Sequence, residues 1–349
     1  MRSKRRHFLW FTAGAGAAIG CGSISKWLQR LTSSNNGDAD CAYETIGNLN
    51  AVTRTSRALG AAVSMTALHH DHSTAEAAIN TAFDELELIE RLMSIYRPDS
   101  QLSQLNRHGM LKDPHPYFVE VLRASQAMSR RSDGAFDITV QPLWDLYSKA
   151  KKENQTPADR QVELARRQID WQRVEVTDAK LRLSGNATRI TLNGIAQGFA
   201  ADKAREALNE FGIEHALINT GEFGSLGDKR EGLPWRVGIQ HPRREDAYIA
   251  LAKLDGRCLA TSGDYATTFS DDRELNHIFD PRTGLSPSDV SSVSITAPSA
   301  MLADALSTAA FVAGMDKGME LVRLTTGADA FVVLKNGKTF QTAGFPNHS

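Results

Sequence analysis

The succession of short alternating segments and helical stripes is the sequence feature that most constrains the fold. Apolar side chains recur at helical spacing after a capping box at residues 73–76, which predicts a long helix. Alternation of apolar and polar residues over short segments bounded by turn residues predicts strands that pair in meanders and hairpins. Helices interspersed with such strands are typical of an α+β fold with a largely antiparallel sheet and packed helices.

The same two periodicities predict the other elements. Residues 52–68 are expected to form one long strand or two short ones, and residues 331–340 a hairpin that turns at Asn336 and Gly337. A three-stranded meander is expected at 171–176, 180–183 and 189–192. Further strands are expected at 216–219, 235–240, 249–254 and 290–296, and further helices at 116–131, 197–211, 300–312 and 317–325.

The N-terminus resembles a twin-arginine signal peptide over residues 1–21. Arg5 and Arg6 precede a weakly apolar run over 8–20, which is shorter than the roughly 20 residues that a membrane-spanning helix needs. Cys21 ends a degenerate lipobox, so lipidation, simple cleavage and an uncleaved anchor all stay open. We therefore expect export to the periplasm, a flexible tether over 22–48, a folded domain over 49–349, and membrane contact only through an N-terminal lipid or anchor.

The charge balance argues against nucleic-acid binding. Lys and Arg together number 40 and Asp and Glu 41, so no basic excess attracts a polyanion.

Three glycine-containing segments place small residues beside acidic or hydroxyl residues at predicted element boundaries. They are residues 132–137, 192–200 and 219–222. The second joins a predicted strand to a helix, where free backbone N–H groups and the helix dipole can bind phosphate. The segments contain neither a Walker loop nor a dinucleotide fingerprint, so glycine serving only a tight turn is the alternative.

Asp304 and Thr308 are four residues apart on a predicted helix, which places a carboxylate and a hydroxyl on one face. This combination suits Mg²⁺, although Asp304 could also be an ordinary charge near a helix N-terminus. His277 and Asp264 lie in segments at strand ends and turns, where functional sites usually occur. A structural, hydrogen-bonded role is the alternative for His277. The sequence contains neither a serine-hydrolase motif nor the His spacing of a zinc site.

Taken in order, several motifs resemble the ApbE family of FAD:protein FMN transferases over residues 59–314. They are RPDSQLSQLN (97–106), DGAFD (133–137), GIAQGFAAD (194–202), the turn at Gly221, TSGDY (261–265), HIFDPRTG (277–284) and ADALSTA (303–309). The resemblance implies a T-fold-like α+β domain and a Mg²⁺-dependent reaction. FAD would be cleaved at its pyrophosphate, FMN joined through phosphate to a Thr or Ser hydroxyl of a target protein, and AMP released.

The resemblance also implies the roles of individual residues. Mg²⁺ would be bound by Asp304, Thr308 and the backbone carbonyl of Ala196, with Ser307 close enough to contribute. His277 or Asp264 would accept the proton of the target hydroxyl. Tyr96 and Phe199 could instead be core aromatics. The full set of FAD contacts that the resemblance implies is Leu59, Tyr96, Ala135, Phe136, Asp137, Asn193, Phe199 and Phe279, or in place of Phe279 its neighbour His277.

Three departures from the common family pattern bear on turnover. Gln197 replaces a Lys, Phe199 a Tyr, and Gly221 with Glu222 replaces Gly-Gly-Asp. Losing the Lys removes a positive charge near the phosphates, which should affect turnover more than binding. The variant resembles exported members that accompany nitrous-oxide respiration, so the expected partner is a periplasm-facing flavin-acceptor domain of a redox membrane protein. The alternatives are an FAD pyrophosphatase and a non-catalytic FAD-binding assembly factor.

Overall fold

The structure is a computed structural model that describes residues 40–185, 187–230 and 232–347. The expected signal peptide and residues 22–39 of the expected tether lie outside the described residues. Residues 40–46 form a strand, so the expected start of the folded domain at residue 49 is too late. This strand is an exposed edge strand with a polar sequence, which is why its hydrophobic pattern is weak. Among the described helices, none is long and apolar enough to cross a bilayer.

Fourteen strands occur in the described residues. They are β1 (Asp40–Ile46), β2 (Leu49–Ala58), β3 (Ala61–His69), β4 (Met110–Lys112), β5 (Val174–Val176), β6 (Lys180–Leu183), β7 (His215–Asn219), β8 (Phe223–Leu226), β9 (Trp235–His241), β10 (Arg244–Leu254), β11 (Cys258–Gly263), β12 (Val290–Ala297), β13 (Asp329–Leu334) and β14 (Thr339–Gln341). Nine of them form one sheet in the order β1-β2-β3-β7-β8-β11-β12-β13-β14, and its paired strands are antiparallel.

Seven α-helices accompany these strands in the described part of the chain. They are α1 (His72–Met93), α2 (Gln101–His108), α3 (Pro116–Arg131), α4 (Gln141–Lys152), α5 (Asp159–Arg166), α6 (Ala196–Glu210) and α7 (Ala300–Arg323). The antiparallel sheet and packed helices confirm the expected α+β class.

The two faces of the large sheet are buried by different elements. Ala216 and Ile218 of β7 join the main core with α1, α6 and α7, whereas Leu217 between them points to a second cluster under the β9–β10 hairpin. Because successive side chains of a strand point to opposite faces, this alternation shows that the sheet is covered on both sides. Two helices on the first face, α6 and α7, carry the residues expected to bind Mg²⁺.

Two local expectations need correction. Asp71, not Ser73, caps α1, because its carboxylate accepts the N–H groups of Ser73 and Thr74 at 3.2 Å each. Residues 189–192 do not form the third strand of the small sheet, where β4 pairs with β6 instead. The backbone of Ile190 is bonded to the side chain of Asn106, which replaces ladder partners.

The helix pair expected at 300–312 and 317–325 is continuous as α7 except for one break at Gly314. Gly314 has φ 78°, which lies in the region that favours glycine. The carboxylate of Asp289 accepts the N–H of Met315 at 3.2 Å and so caps the second segment. The two free thiols of the described residues, Cys41 in β1 and Cys258 in β11, are exposed and buried respectively.

Candidate functional site

The predicted phosphate-binding junction lies directly against the predicted acidic helix. Gly198, in the first turn of α6, is so close to α7 that a Cβ atom there would lie 2.3 Å from the carbonyl oxygen of Ala300. Only glycine permits this approach. It allows the backbone N–H of Gly198 to donate to Oδ2 of Asp304 at 3.0 Å. Ala196, whose carbonyl is an expected ligand, is the first residue of α6 and is partly buried.

Three hydroxyl groups lie together on and beside the helix that carries Asp304. The hydroxyl of Ser262 on β11 lies 2.8 Å from Ser307 Oγ and 3.0 Å from Thr308 Oγ1. Ser307 also donates to the Asp304 carbonyl at 2.9 Å. Since a Cβ on Gly194 would lie 3.0 Å from Thr308 Oγ1, the turn before α6 reaches the same place. The site thus combines β11, α7 and the turn that leads into α6.

The carboxyl of Asp304 is buried without a cationic partner. It is 4% exposed, and burial raises its pKa well above the ordinary value, with the Gly198 N–H opposing and the charge of Asp202 adding to the shift. No ion pair of the described chain includes Asp304. A buried carboxylate is costly unless a positive charge compensates for it.

The donor set fits a hard divalent cation. Within the described ranges, no group of three or more His, Cys, Asp or Glu could hold a metal ion. Ligands beyond Asp304 would be oxygens of carboxylate, hydroxyl, carbonyl or phosphate groups, which Mg²⁺ accepts, whereas structural zinc sites are built from Cys and His. The expected residues Ala196, Asp304, Ser307 and Thr308 are brought together at this point.

The N-terminus of α7 is fixed by a residue of α6. Asp202 accepts the N–H groups of Ala300 at 2.8 Å and Met301 at 2.9 Å. A carboxylate at this end also interacts favourably with the helix dipole. Sequence reasoning did not find this role, because the cap and the helix are about a hundred residues apart.

Asp264 and His277 differ in how they are held. Asp264 is fully buried, and its two oxygens accept from Arg243 at 2.7 and 2.8 Å in a bidentate ion pair. Arg243, in the β9–β10 turn, was not among the predicted site residues. Because both oxygens of Asp264 are engaged, His277 is the better placed of the two to accept a proton.

The imidazole of His277 has a defined tautomer. Its Nδ1 lies 3.2 Å from the carbonyl oxygen of Thr267, which can only accept, so Nδ1 carries the hydrogen. Nε2 is then the nitrogen able to accept a proton. Burial lowers the pKa of His277 below its ordinary value, more than the Thr267 bond and the charge of Asp264 raise it. The neutral base is therefore the form present at neutral pH.

Of the expected FAD contacts, three lie where a ligand can reach their side chains. Tyr96 and Asn193 are exposed, and Leu59 is partly buried in the β2–β3 turn with φ 54°. The backbone N–H of Leu59 donates to Glu90 Oε2 at 2.8 Å, which fixes this turn against α1.

The other aromatic and small candidates have buried side chains, which for Phe199 agrees with the alternative of a core aromatic. Phe199 is 1% exposed and packs edge-on against Tyr117 with ring centroids 5.4 Å apart. Phe279 is 3% exposed and packs against Tyr147 and Phe269. Ala135 and Phe136 are equally buried. A ligand could meet these four residues only through their backbone.

The carboxyl of Asp137 accepts hydrogen bonds from within the chain. One oxygen accepts from the N–H and the hydroxyl of Thr139 at 2.7 and 2.6 Å, and the other from the N–H of Trp171 at 3.1 Å. Burial raises the pKa of Asp137 to about 6 against these bonds. The carboxyl thus joins two loops of the domain.

Asp137→Ala is expected to lower the free energy of unfolding by about 2 kcal/mol, because buried donors lose their acceptor. Denaturant unfolding of the two proteins measures the loss. Asp145→Ala, a change of an exposed carboxyl on α4, is the control. Equal stability of Asp137→Ala and the wild type would contradict the structural role.

Solved structures place the chain in the fold class of the flavin transferases. The ApbE flavinyl transferase of Pseudomonas stutzeri, in its apo form, superposes with a TM-score of 0.74 and 28% identity, covering 86% of this chain and 97% of that one. An ApbE protein from Thermotoga maritima superposes with a TM-score of 0.76 and 27% identity, covering 89% of this chain and all of the other.

The chain belongs to the ApbE family, whose sequence model matches residues 59–332. The FAD:protein FMN transferase of Escherichia coli K12 is 31% identical over 271 residues, which are 74% of this chain and 77% of that protein. The FAD:protein FMN transferase of Treponema pallidum is 30% identical over 293 residues, 77% of this chain and 80% of the other. The family expected from the motifs is confirmed.

Proposed function

We propose that this protein is an FAD:protein FMN transferase that joins FMN to a Thr or Ser hydroxyl of a target protein and releases AMP. The names of its relatives support the flavin transfer. The observation that carries the proposal is the buried Asp304 carboxyl, held by the Gly198 N–H beside Thr308 and without a cationic side chain. A site built in this way accommodates a cation and the phosphates that accompany it.

Mg²⁺ would be held by the Asp304 carboxylate, the Thr308 hydroxyl and the Ala196 carbonyl, with Ser307 beside them. When bound, it would neutralise charge on the FAD pyrophosphate. Ser307 is fully buried whereas Thr308 is partly exposed, so Thr308 is the better placed of the two hydroxyls.

Different residues of the chain would bind phosphate, bind the flavin and accept the proton. In the first turn of α6, the Gln197 N–H makes no bond within the described chain and would donate to phosphate, whereas those of Ala196 and Gly198 are already bonded. Tyr96 would offer its exposed ring to the flavin. Nε2 of His277 would take the proton of the acceptor hydroxyl as its oxygen bonds to the FMN phosphorus. The bond to the AMP phosphate breaks in the same step, and AMP leaves with the electron pair.

The functional test uses the full chain, FAD, Mg²⁺ and a flavin-acceptor domain of a redox membrane protein. Flavin fluorescence that stays on the acceptor under denaturing electrophoresis is the expected result, and an acceptor with its target Thr changed to Val is the control. Free FMN and AMP without labelled acceptor would instead identify an FAD pyrophosphatase. FAD that stays intact with acceptor and Mg²⁺ present would identify a non-catalytic FAD-binding protein. The replacement of the family Lys by Gln197 suggests this hypothesis.

His277→Ala is expected to slow transfer by about 10²- to 10³-fold, in the range of general base catalysis. Because the pKa of His277 lies below 6.5, the wild-type rate should be constant above that pH and fall only at lower pH, where the imidazole is protonated. The pH dependence of kcat/KM measures this, and the variant should lack the acidic limb. His108→Ala, at the exposed end of α2, is the control. An acidic limb above pH 7 would contradict the assignment.

We also propose that the protein works in the periplasm after export by the twin-arginine route, with its acceptor facing the same compartment. The proposal is supported by the sequence of residues 1–21. The covalent flavin content of periplasm-facing redox proteins, compared between cells with and without this chain, tests it. Equal content in both would contradict it.

A further inference from the structure

Glu222, in the β7–β8 turn, is a second deeply buried carboxyl near the site. It is 7% exposed, and its Oε2 accepts the backbone N–H of Thr261 at 3.1 Å. Within the described chain, its other oxygen has no hydrogen-bond partner, and neither has Oδ1 of Asp304. Each of the two carboxyls therefore keeps one oxygen available.

Glu222 and Asp304 face the same small region. Thr261, which holds Glu222, is followed on β11 by Ser262, whose hydroxyl contacts Ser307 and Thr308 of α7. Burial raises the pKa of Glu222 well above its ordinary value, and the charge of Asp304 raises it further. A second chain of contacts links the two: Gln197 donates to the Thr220 carbonyl, two residues before Glu222, and its neighbour Gly198 donates to Asp304 at 3.0 Å.

The described residues supply no positive charge to this pair. The ion pairs of the described ranges engage other carboxylates, such as Asp264 with Arg243 and Asp329 with Arg257. The side chain nearest the turn is the neutral Gln197, whose Nε2 donates to the Thr220 carbonyl at 3.3 Å. It lies 2.8 Å from where a Cβ of Gly221 would be.

We propose that Glu222 is a second carboxylate of the cation site, so that a hard divalent cation binds between Glu222 and Asp304 before any nucleotide arrives. The inference rests on the proposed function for the presence of a cation, and it adds a ligand that the family resemblance does not imply. Two carboxylates supply the charge that makes such binding strong without phosphate oxygens. The neutral Gln197 supplies no positive charge that would compete with the cation.

The test is Mn²⁺ binding to the full chain without FAD, followed by electron paramagnetic resonance. Glu222→Gln keeps an oxygen that can accept the Thr261 N–H and removes only the charge. We expect its affinity for Mn²⁺ to fall by about 10- to 100-fold. Glu222→Asp should retain more of the affinity than Glu222→Gln, and Glu214→Gln, an exposed change just before β7, should retain all of it.

A Glu222→Gln protein that binds Mn²⁺ within about twofold of the wild type, while Asp304→Asn does not, would overturn the inference. Should Glu222→Gln fail to fold, Mg²⁺-induced infrared difference spectra of the wild type decide the question. Bands of two carboxylates support the inference, and bands of one refute it. The two hypotheses can fail separately. If Mn²⁺ binds through Glu222 but the wild-type protein does not label the acceptor with flavin, the transferase function is refuted. If the acceptor is labelled but Glu222→Gln binds Mn²⁺ as tightly as the wild type, only this inference is refuted.

Discussion

Asp304→Asn is expected to reduce FMN transfer by more than about 10³-fold, since in the proposed mechanism several kcal/mol of charge stabilisation at the pyrophosphate would depend on a bound cation. The asparagine oxygen can still accept the Gly198 N–H, and a buried charge is removed. The fold should therefore be retained, with thermal stability equal to or above that of the wild type. Fluorescence of the labelled acceptor and thermal unfolding measure the two effects.

The control is Asp316→Asn, an exposed change on the same helix, which should leave transfer unchanged. Transfer by Asp304→Asn within about tenfold of the wild type would exclude Asp304 from the cation site, because a charge of this importance cannot be lost at so small a cost.

Gly198→Ala is expected to lower the free energy of unfolding by about 3 kcal/mol or more. Its Cβ would lie 2.3 Å from the Ala300 oxygen and 2.6 Å from the Ala300 carbonyl carbon, both backbone atoms that cannot rotate away. Helices α6 and α7 would have to separate, which also breaks the bond to Asp304. Denaturant unfolding measures the loss of stability, and transfer activity should fall with it.

Gly224→Ala is the matched control, since this buried glycine would place its Cβ at ordinary contact distances of 3.9 Å. A small effect there beside a large one at Gly198 identifies the helix contact as the cause. Equal stability of Gly198→Ala and the wild type would show that α6 and α7 can move apart freely.

Periodicity was sufficient to predict the elements with strong patterns. Helix α3 begins and ends where expected, because Pro116 and its apolar stripe define it locally. Strand β1 was missed because its polar edge sequence has no buried face to reveal it. Residues 189–192 alternate like a strand, yet the side chain of Asn106 takes their backbone bonds. A partner so distant in sequence leaves no local signal.

The candidate site was predicted in part for the same reason. Spacing and motif placed Asp304 and Thr308 on one helix, and the glycines of 194–198 indicated the turn that meets them. The contributions of Ser262, Asp202 and Arg243 depend on contacts between distant segments, so sequence reasoning could not find them. Position in a motif also does not give burial, which is why the sequence left Phe199 open between a flavin contact and a core aromatic.

The bond from Gly198 to Asp304 joins residues 106 positions apart, and Asp202 joins the same two helices at α7's first turn. The residues proposed to bind cation and phosphate therefore come together only once a long loop has closed, at a cost in conformational entropy. An incompletely folded chain has no such site and would leave the flavin nucleotide pool untouched. Conversely, any ligand that binds there holds the closed loop by mass action, so nucleotide and cation should protect the mature enzyme against unfolding.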